Sequence, residues 1–145
     1  MKITFTKLSD LEHKVRIERA DGSAEETILN TREFMRHDMG HMAVEMEVPI
    51  SRGYWGSVAT GVALDGMSIT GTDIVTAESL AGPAQGLIRD EADKETFYSV
   101  LNRMQPELIT KELAYRIHER GRKLLGHWRA TSFGGDMVIE WDDSV

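Results

Sequence analysis

No cysteine occurs in the 145 residues, which excludes disulfides, thiolate metal sites and a cysteine nucleophile together. Cytosol and periplasm both accommodate that absence, so it does not choose a compartment. Three prolines, Pro49, Pro83 and Pro106, are too few for a proline-rich linker, and no internal repeat or low-complexity tract is visible. Positive charge is also short: 17 Lys and Arg stand against 24 Asp and Glu, a net charge of −7. Generic nucleic-acid binding depends on the opposite excess, so nucleic acid is not an expected partner. No apolar run approaches a membrane span, and the opening MKITFTKLSDLEHK interleaves polar residues where an export signal needs an apolar core. A cytoplasmic protein with no membrane association is the expectation. What is present, 41% hydrophobic and 28% charged residues, is ordinary for a globular chain, and the length suits a single domain, 1–145, with a core of its own.

The first thirty residues alternate as strands do. Ile3 and Phe5 recur among Lys2, Thr4 and Thr6; Val15 and Ile17 recur between His13 and Arg19; Ala24 to Leu29 alternates more weakly. Between the last two, Ala20-Asp21-Gly22-Ser23 is a hairpin turn, because Asp-Gly supplies the positive φ of a tight reversal. Helical patterns follow. Asn30 or Thr31 caps the first, with Asn30 preferred for the acid at Glu33, and Pro49 ends it. A second helical run starts at Tyr54, with Gly56 and Gly61 among small residues that allow close backbone approach. After a loop over Gly66 to Thr72, a short helix over Asp73 to Leu80 is expected to break at Gly82-Pro83. Glu91 to Met104 carries Phe97, Val100, Leu101 and Met104 on one stripe and closes before Pro106. Glu107 to Leu125 carries Ile109, Leu113, Ile117 and Leu124, with Gly126 as its stop. Met137 to Trp141 is a last strand, followed by the acidic Asp142-Asp143. The pattern predicts an α+β fold in which a small antiparallel sheet, the N-terminal strands plus the C-terminal one, is covered by four or five helices.

The chemistry concentrates in the central helix, Arg32 to Glu47. At about 100° per residue, with His37 at about 0°, His41 falls near 40°, Glu45 near 80° and Asp38 near 100°. Met35, Met39, Met42 and Met46 gather at about 140 to 200°, while Arg32, Arg36, Glu33 and Glu47 take the sector left for water. The ionisable group therefore lies beside the methionine stripe, where it needs a partner. A bound cation is one such partner, a closed set of hydrogen bonds another, and plain exposure near a loop a third. Two histidines four residues apart can aim one nitrogen each at a single cation, and Glu45 adds a carboxylate a turn later. His37, His41 and Glu45 are thus the candidate metal ligands. Asp38 is the candidate catalytic group, as a ligand, an orienter of a histidine or an acceptor of a proton from bound water. Zinc, iron, manganese and nickel all accept this donor set, with zinc foremost. One helix rarely completes a site, so a further ligand is sought among His118, His127, Glu78 and Glu112.

Other features have plainer explanations. The methionine stripe reads as core filling. Tyr54, Trp55 and Trp128 either line a pocket mouth or anchor the core. Arg116, Arg120, Arg122, Lys123 and Arg129 make a basic run that either holds an anion or forms a solvated helix face.

The segment His37-Asp38-x-x-His41-x-x-Val44-Glu45, followed by Gly53-Tyr54-Trp55-Gly56, resembles a set of small bacterial proteins of uncharacterised function with an HDxxHxxVE core. The likeness covers residues 30 to 66 and implies no particular activity. At the level of the motif alone, His37, Asp38 and His41 are similar to the HDxxH zinc motif of ubiquinone-biosynthesis proteins, although their next acid is spaced to position 53, which is Gly53 here. Zincin metalloproteases place Glu where this chain has Asp38, one methylene shorter. HD-domain phosphohydrolases share a His-Asp pair but need an earlier helical histidine, and only His13 precedes.

Two functions of different class follow. One is a metal-binding protein, a metal-dependent hydrolase or lyase acting on a small-molecule substrate. The other is a non-catalytic binding or homo-oligomerisation module in which the same cluster is structural.

Overall fold

The computed structural model describes residues 1–142, apart from the Phe34 side chain; Asp143, the second of the C-terminal acids, lies outside the described residues. The fold is α+β. Four antiparallel strands, β1 (Lys2–Lys7), β2 (Glu12–Glu18), β3 (Ala24–Asn30) and β4 (Asp136–Glu140), run in the order β3-β2-β1-β4. The C-terminal strand joins the N-terminal ones, as the alternation implied: Phe5 stands opposite both Val15 and Met137, and Ile3 opposite both Ile17 and Ile139. The Asp21-Gly22 reversal has φ 89° at Gly22, closed by Gly22 N–H donating to the Arg19 carbonyl. One face of the sheet presents Ile3, Phe5, Val15, Ile17 and Met137, all essentially without exposure. Its other face carries Lys2, Arg16, Glu18 and Glu26 in exposed ion pairs, each worth well under about 1 kcal/mol.

The β2 alternation that buries Val15 and Ile17 also buries His13. Its Nδ1 lies 3.0 Å from the Thr31 hydroxyl, and the ring packs against Phe5 and Trp128. Burial pushes its pKa down to about 4. The folded chain therefore binds this proton less readily than the unfolded chain, so the resulting stability is complete above the unfolded value near 6.5 and is lost as pH falls through about 4. At full extent it amounts to about 3 kcal/mol. Urea denaturation between pH 7 and pH 4 is expected to show a loss of this order that His13→Leu removes; equal slopes in the two proteins would refute the assignment.

Five helices cover the buried face: α1 (Thr31–Glu45), α2 (Tyr54–Ala59), α3 (Thr72–Arg89), α4 (Lys94–Met104) and α5 (Lys111–Ala130). Asn30 Oδ1 caps α1 by accepting from Arg32 N and Glu33 N. The methionines at 35, 39 and 42 are core, as are Trp55 and Trp128. α1 is the central helix of the layer, packed on α2, α3 and α5.

Three expectations are corrected. α3 does not end at Leu80 but runs through Gly82-Pro83 to Arg89. Leu80, Ala81 and Ala84 are fully buried along it, and that packing outweighs the roughly 3 kcal/mol that an internal proline costs. α5 starts at Lys111 rather than Glu107, since Thr110 caps it through Leu113 N, and runs past Gly126 to Ala130, because Trp128 is drawn into the core and Lys7 Nζ both donates to its carbonyl and sits over its ring. α4 starts at Lys94 rather than Glu91, since Asp93 caps it through Thr96 N, and Met104 on its expected stripe is exposed.

α1 and α3 approach closely at Gly40, where an added Cβ would lie 2.7 Å from Gln85 Cγ and 3.0 Å from the Ala81 carbonyl oxygen. That crossing sets Glu78, one turn before Ala81, beside the histidines of α1. Among the described residues, no helix is long and apolar enough to cross a membrane.

Candidate metal centre

His37, His41 and Glu78 place one ligand atom each within 4.8 Å of one another, an arrangement that could hold a metal ion. The two imidazoles come from successive turns of α1 and their ring centroids lie 4.5 Å apart. The carboxylate comes from α3. Tyr54, at the start of α2, packs on both rings with centroids 5.4 and 5.6 Å away.

Each histidine has a carboxyl group on its Nδ1. His41 Nδ1 is 2.8 Å from Glu45 Oε2, and His37 Nδ1 is 3.0 Å from Asp38 Oδ1. A carboxylate only accepts, so Glu45 favours the tautomer with the proton on His41 Nδ1, in which the neutral ring carries its lone pair on Nε2. That Nε2 is buried without a hydrogen-bond partner. Glu78 Oε1 lies 3.3 Å from it, a pairing by distance that lacks hydrogen-bond alignment. Buried polar atoms are nearly always paired; among the described residues this nitrogen and His13 Nε2 are the exceptions, and this one stands beside a second imidazole and a carboxylate.

Glu45 is seated by backbone. Its Oε2 also accepts from Tyr54 N at 2.8 Å, and its Oε1 from Gly56 N at 3.2 Å. Gly53 leaves room for the carboxyl group, which an added Cβ there would overlap, and Gly56 packs directly on the Ser51 carbonyl. With those donors in place, Glu45 lies on the Nδ1 side of His41 and outside the group formed with Glu78. Asp38 is 3% exposed. Burial pushes its carboxyl above the usual range, against the hydrogen bond to His37 that pulls it down; that hydrogen bond in turn raises His37. Trp55 Nε1 donates to the Asp38 carbonyl at 3.1 Å, tying α2 to the same turn of α1. Burial likewise raises the Tyr54 hydroxyl, which donates to the Leu64 carbonyl.

Of the four side chains considered as a ligand from outside α1, Glu78 is the one brought to the histidines. His118 packs edge-on against Phe97, His127 is exposed near the end of α5, and Glu112 is exposed in its first turn. The basic run is dispersed: Arg116 and Arg120 pair with Glu47, Lys123 with Glu119 and Arg129 with Glu91. A half-buried ion pair unforeseen from the sequence joins Arg19 to Glu25. Arg19 also donates to the carbonyls of Val58 and Val62, and Glu25 accepts from Leu64 N, so the β2-β3 hairpin is fastened to the end of α2 and the segment after it.

A cavity of about 670 Å³ opens beside the centre, with His37, Asp38 and Tyr54 in its wall. Compared with family models, curated proteins and solved structures, the chain finds no match.

Proposed function

We propose that this protein holds a divalent transition metal, zinc foremost, through His37, His41 and Glu78, and that it acts as a hydrolase or lyase on a small molecule admitted through the adjoining cavity. The observation that carries the reading is the pair of histidines fixed at Nδ1 by buried carboxyl groups, with His41 Nε2 otherwise unsatisfied. Carboxyl groups placed this way fix the tautomer and orientation of metal-binding imidazoles. Two imidazoles and one carboxylate form a donor set that zinc uses in catalytic sites, where the remaining position takes water. An ion so placed supplies Lewis acidity and a bound water of lowered pKa. Asp38 has two duties here. Oδ1 orients His37, and a carboxyl raised by burial is suited to accept a proton nearer neutrality than an ordinary aspartate.

A non-catalytic module with a structural polar network accounts less well for the same residues, because such a network would hydrogen-bond His41 Nε2 rather than leave it with Glu78 Oε1 at 3.3 Å and out of alignment. Elemental analysis of the purified, untagged protein distinguishes the two. Close to one transition-metal ion per chain, removed by chelators and restored by zinc, is expected. No metal as purified and no uptake of added zinc or iron would overturn the proposal.

A further inference from the structure

The two imidazoles of the centre are not equally constrained. His41 is fully buried, and Glu45 meets its Nδ1. The His37 side chain is 34% exposed, and its hydrogen bond runs to Asp38, the next residue along. Rotation of this ring would carry its nitrogens away from His41 and Glu78, and Tyr54 stands against that rotation. The Tyr54 ring packs edge-on to His37, at 78° with centroids 5.4 Å apart, and tilted to His41, at 54° and 5.6 Å. It is itself held at both ends. Tyr54 N donates to Glu45 Oε2, the oxygen that also serves His41 Nδ1, and its hydroxyl donates to the Leu64 carbonyl. Leu64 N in turn donates to Glu25 Oε1, and Arg19 donates to the Val62 carbonyl. Gly66, at φ 69°, closes on the ring from the same loop, where an added Cβ would lie 2.9 Å from Tyr54 Cε2. Ala63, Leu64 and Asp65 of that loop stand with Tyr54 in the wall of the cavity beside the centre.

We propose that Tyr54 is the positioning residue of the metal centre: its ring keeps the His37 and His41 imidazoles in the mutual orientation that one ion requires, and its hydroxyl anchors that ring to the loop lining the cavity. Ligands held in place before the ion arrives bind it more tightly, because ordering them during binding opposes association. Tyr54 is not a ligand, since its hydroxyl is engaged at Leu64. The inference rests on the proposed metal function and names the side chain, outside the ligand set, that tunes its affinity.

The test compares the native full chain with Tyr54→Phe, which keeps the ring, and Tyr54→Leu, which removes it. Zinc is titrated against a competing chelator, and the absorption spectrum of the cobalt-loaded protein reports the ligand geometry. Tyr54→Leu should bind zinc roughly tenfold more weakly and shift the cobalt bands. Tyr54→Phe should stay within about threefold of native affinity and keep the native bands. In metal-free Tyr54→Phe, exchange of the Leu64 and Gly66 amides should quicken by about fivefold, because one hydrogen bond to the loop is gone. If Tyr54→Leu does not fold, Tyr54→Met takes its place. A tyrosine that only supports the fold would lower the metal-free stability of Tyr54→Leu and leave zinc affinity and cobalt bands at native values, which would overturn the inference. Equal loss of zinc affinity in Tyr54→Phe and Tyr54→Leu, or unchanged amide exchange in Tyr54→Phe, would overturn it too. Absence of zinc uptake by the native protein would overturn the metal function and this inference with it; native uptake matched by Tyr54→Leu would overturn this inference alone.

Discussion

His41→Ala is expected to abolish zinc-dependent stabilisation and to weaken the metal-free fold as well. With zinc at about a hundred times its dissociation constant, the native protein should gain about 2.7 kcal/mol, and the variant should gain nothing. In the absence of metal the variant should still lose about 3 kcal/mol, because Glu45 is 5% exposed and would keep its carboxylate in the interior without the imidazole. The two losses have different origins and are separated by denaturation with and without a chelator. His37→Ala should remove the same zinc increment. The double variant should lose that increment once, since either histidine holds the same ion. A zinc increment that survives His41→Ala would place the ion elsewhere.

Glu45→Gln carries the second large effect, and it separates a ligand from an orienter. Oε2 serves His41 Nδ1 and Tyr54 N, and Oε1 serves Gly56 N, so all three neighbours donate. Glutamine offers one oxygen and one NH2 group. Whichever way the amide turns, a donor meets a donor, at a cost of about 2 kcal/mol in stability. Zinc affinity should fall by roughly 10- to 100-fold through loss of His41 orientation, and binding should persist. Were Glu45 a direct ligand, as its spacing on α1 first indicates, and Glu78 a bystander, then Glu45→Gln would abolish uptake and Glu78→Ala would spare it. Calorimetric titration of zinc into both variants reads the difference.

The half of the centre on α1 was legible in the sequence because it lies within one helix. Two histidines four apart, flanked by acids and set beside a methionine stripe, locate a buried polar group before any tertiary contact is known. Glu78 was one of four equal candidates, since nothing local distinguishes it from His118, His127 or Glu112. Its place depends on α3 crossing α1 at Gly40, and that crossing depends on α3 continuing through Pro83. A rule based on Gly and Pro as breakers ends the helix too early because it has no access to the burial of Leu80, Ala81 and Ala84. The partners of Glu45 were hidden for another reason: two of them are backbone N–H groups, which carry no residue signature. Gly53 and Gly56 shortly after the helix were the available clue, a place where something must approach closely. The sheet was easier. A period of two with an Asp-Gly turn marks a hairpin and puts Val15 and Ile17 inward; the burial of His13 in phase with them is seen only in the structure.

The most direct test of the account is diffraction from zinc-soaked crystals on either side of the zinc absorption edge. One anomalous peak is expected about 2.0 to 2.2 Å from a nitrogen of His37, a nitrogen of His41 and an oxygen of Glu78. Glu45 should remain on His41 Nδ1. A peak at Glu45 in place of Glu78, or no peak among these side chains at full zinc occupancy of the crystal, would contradict it.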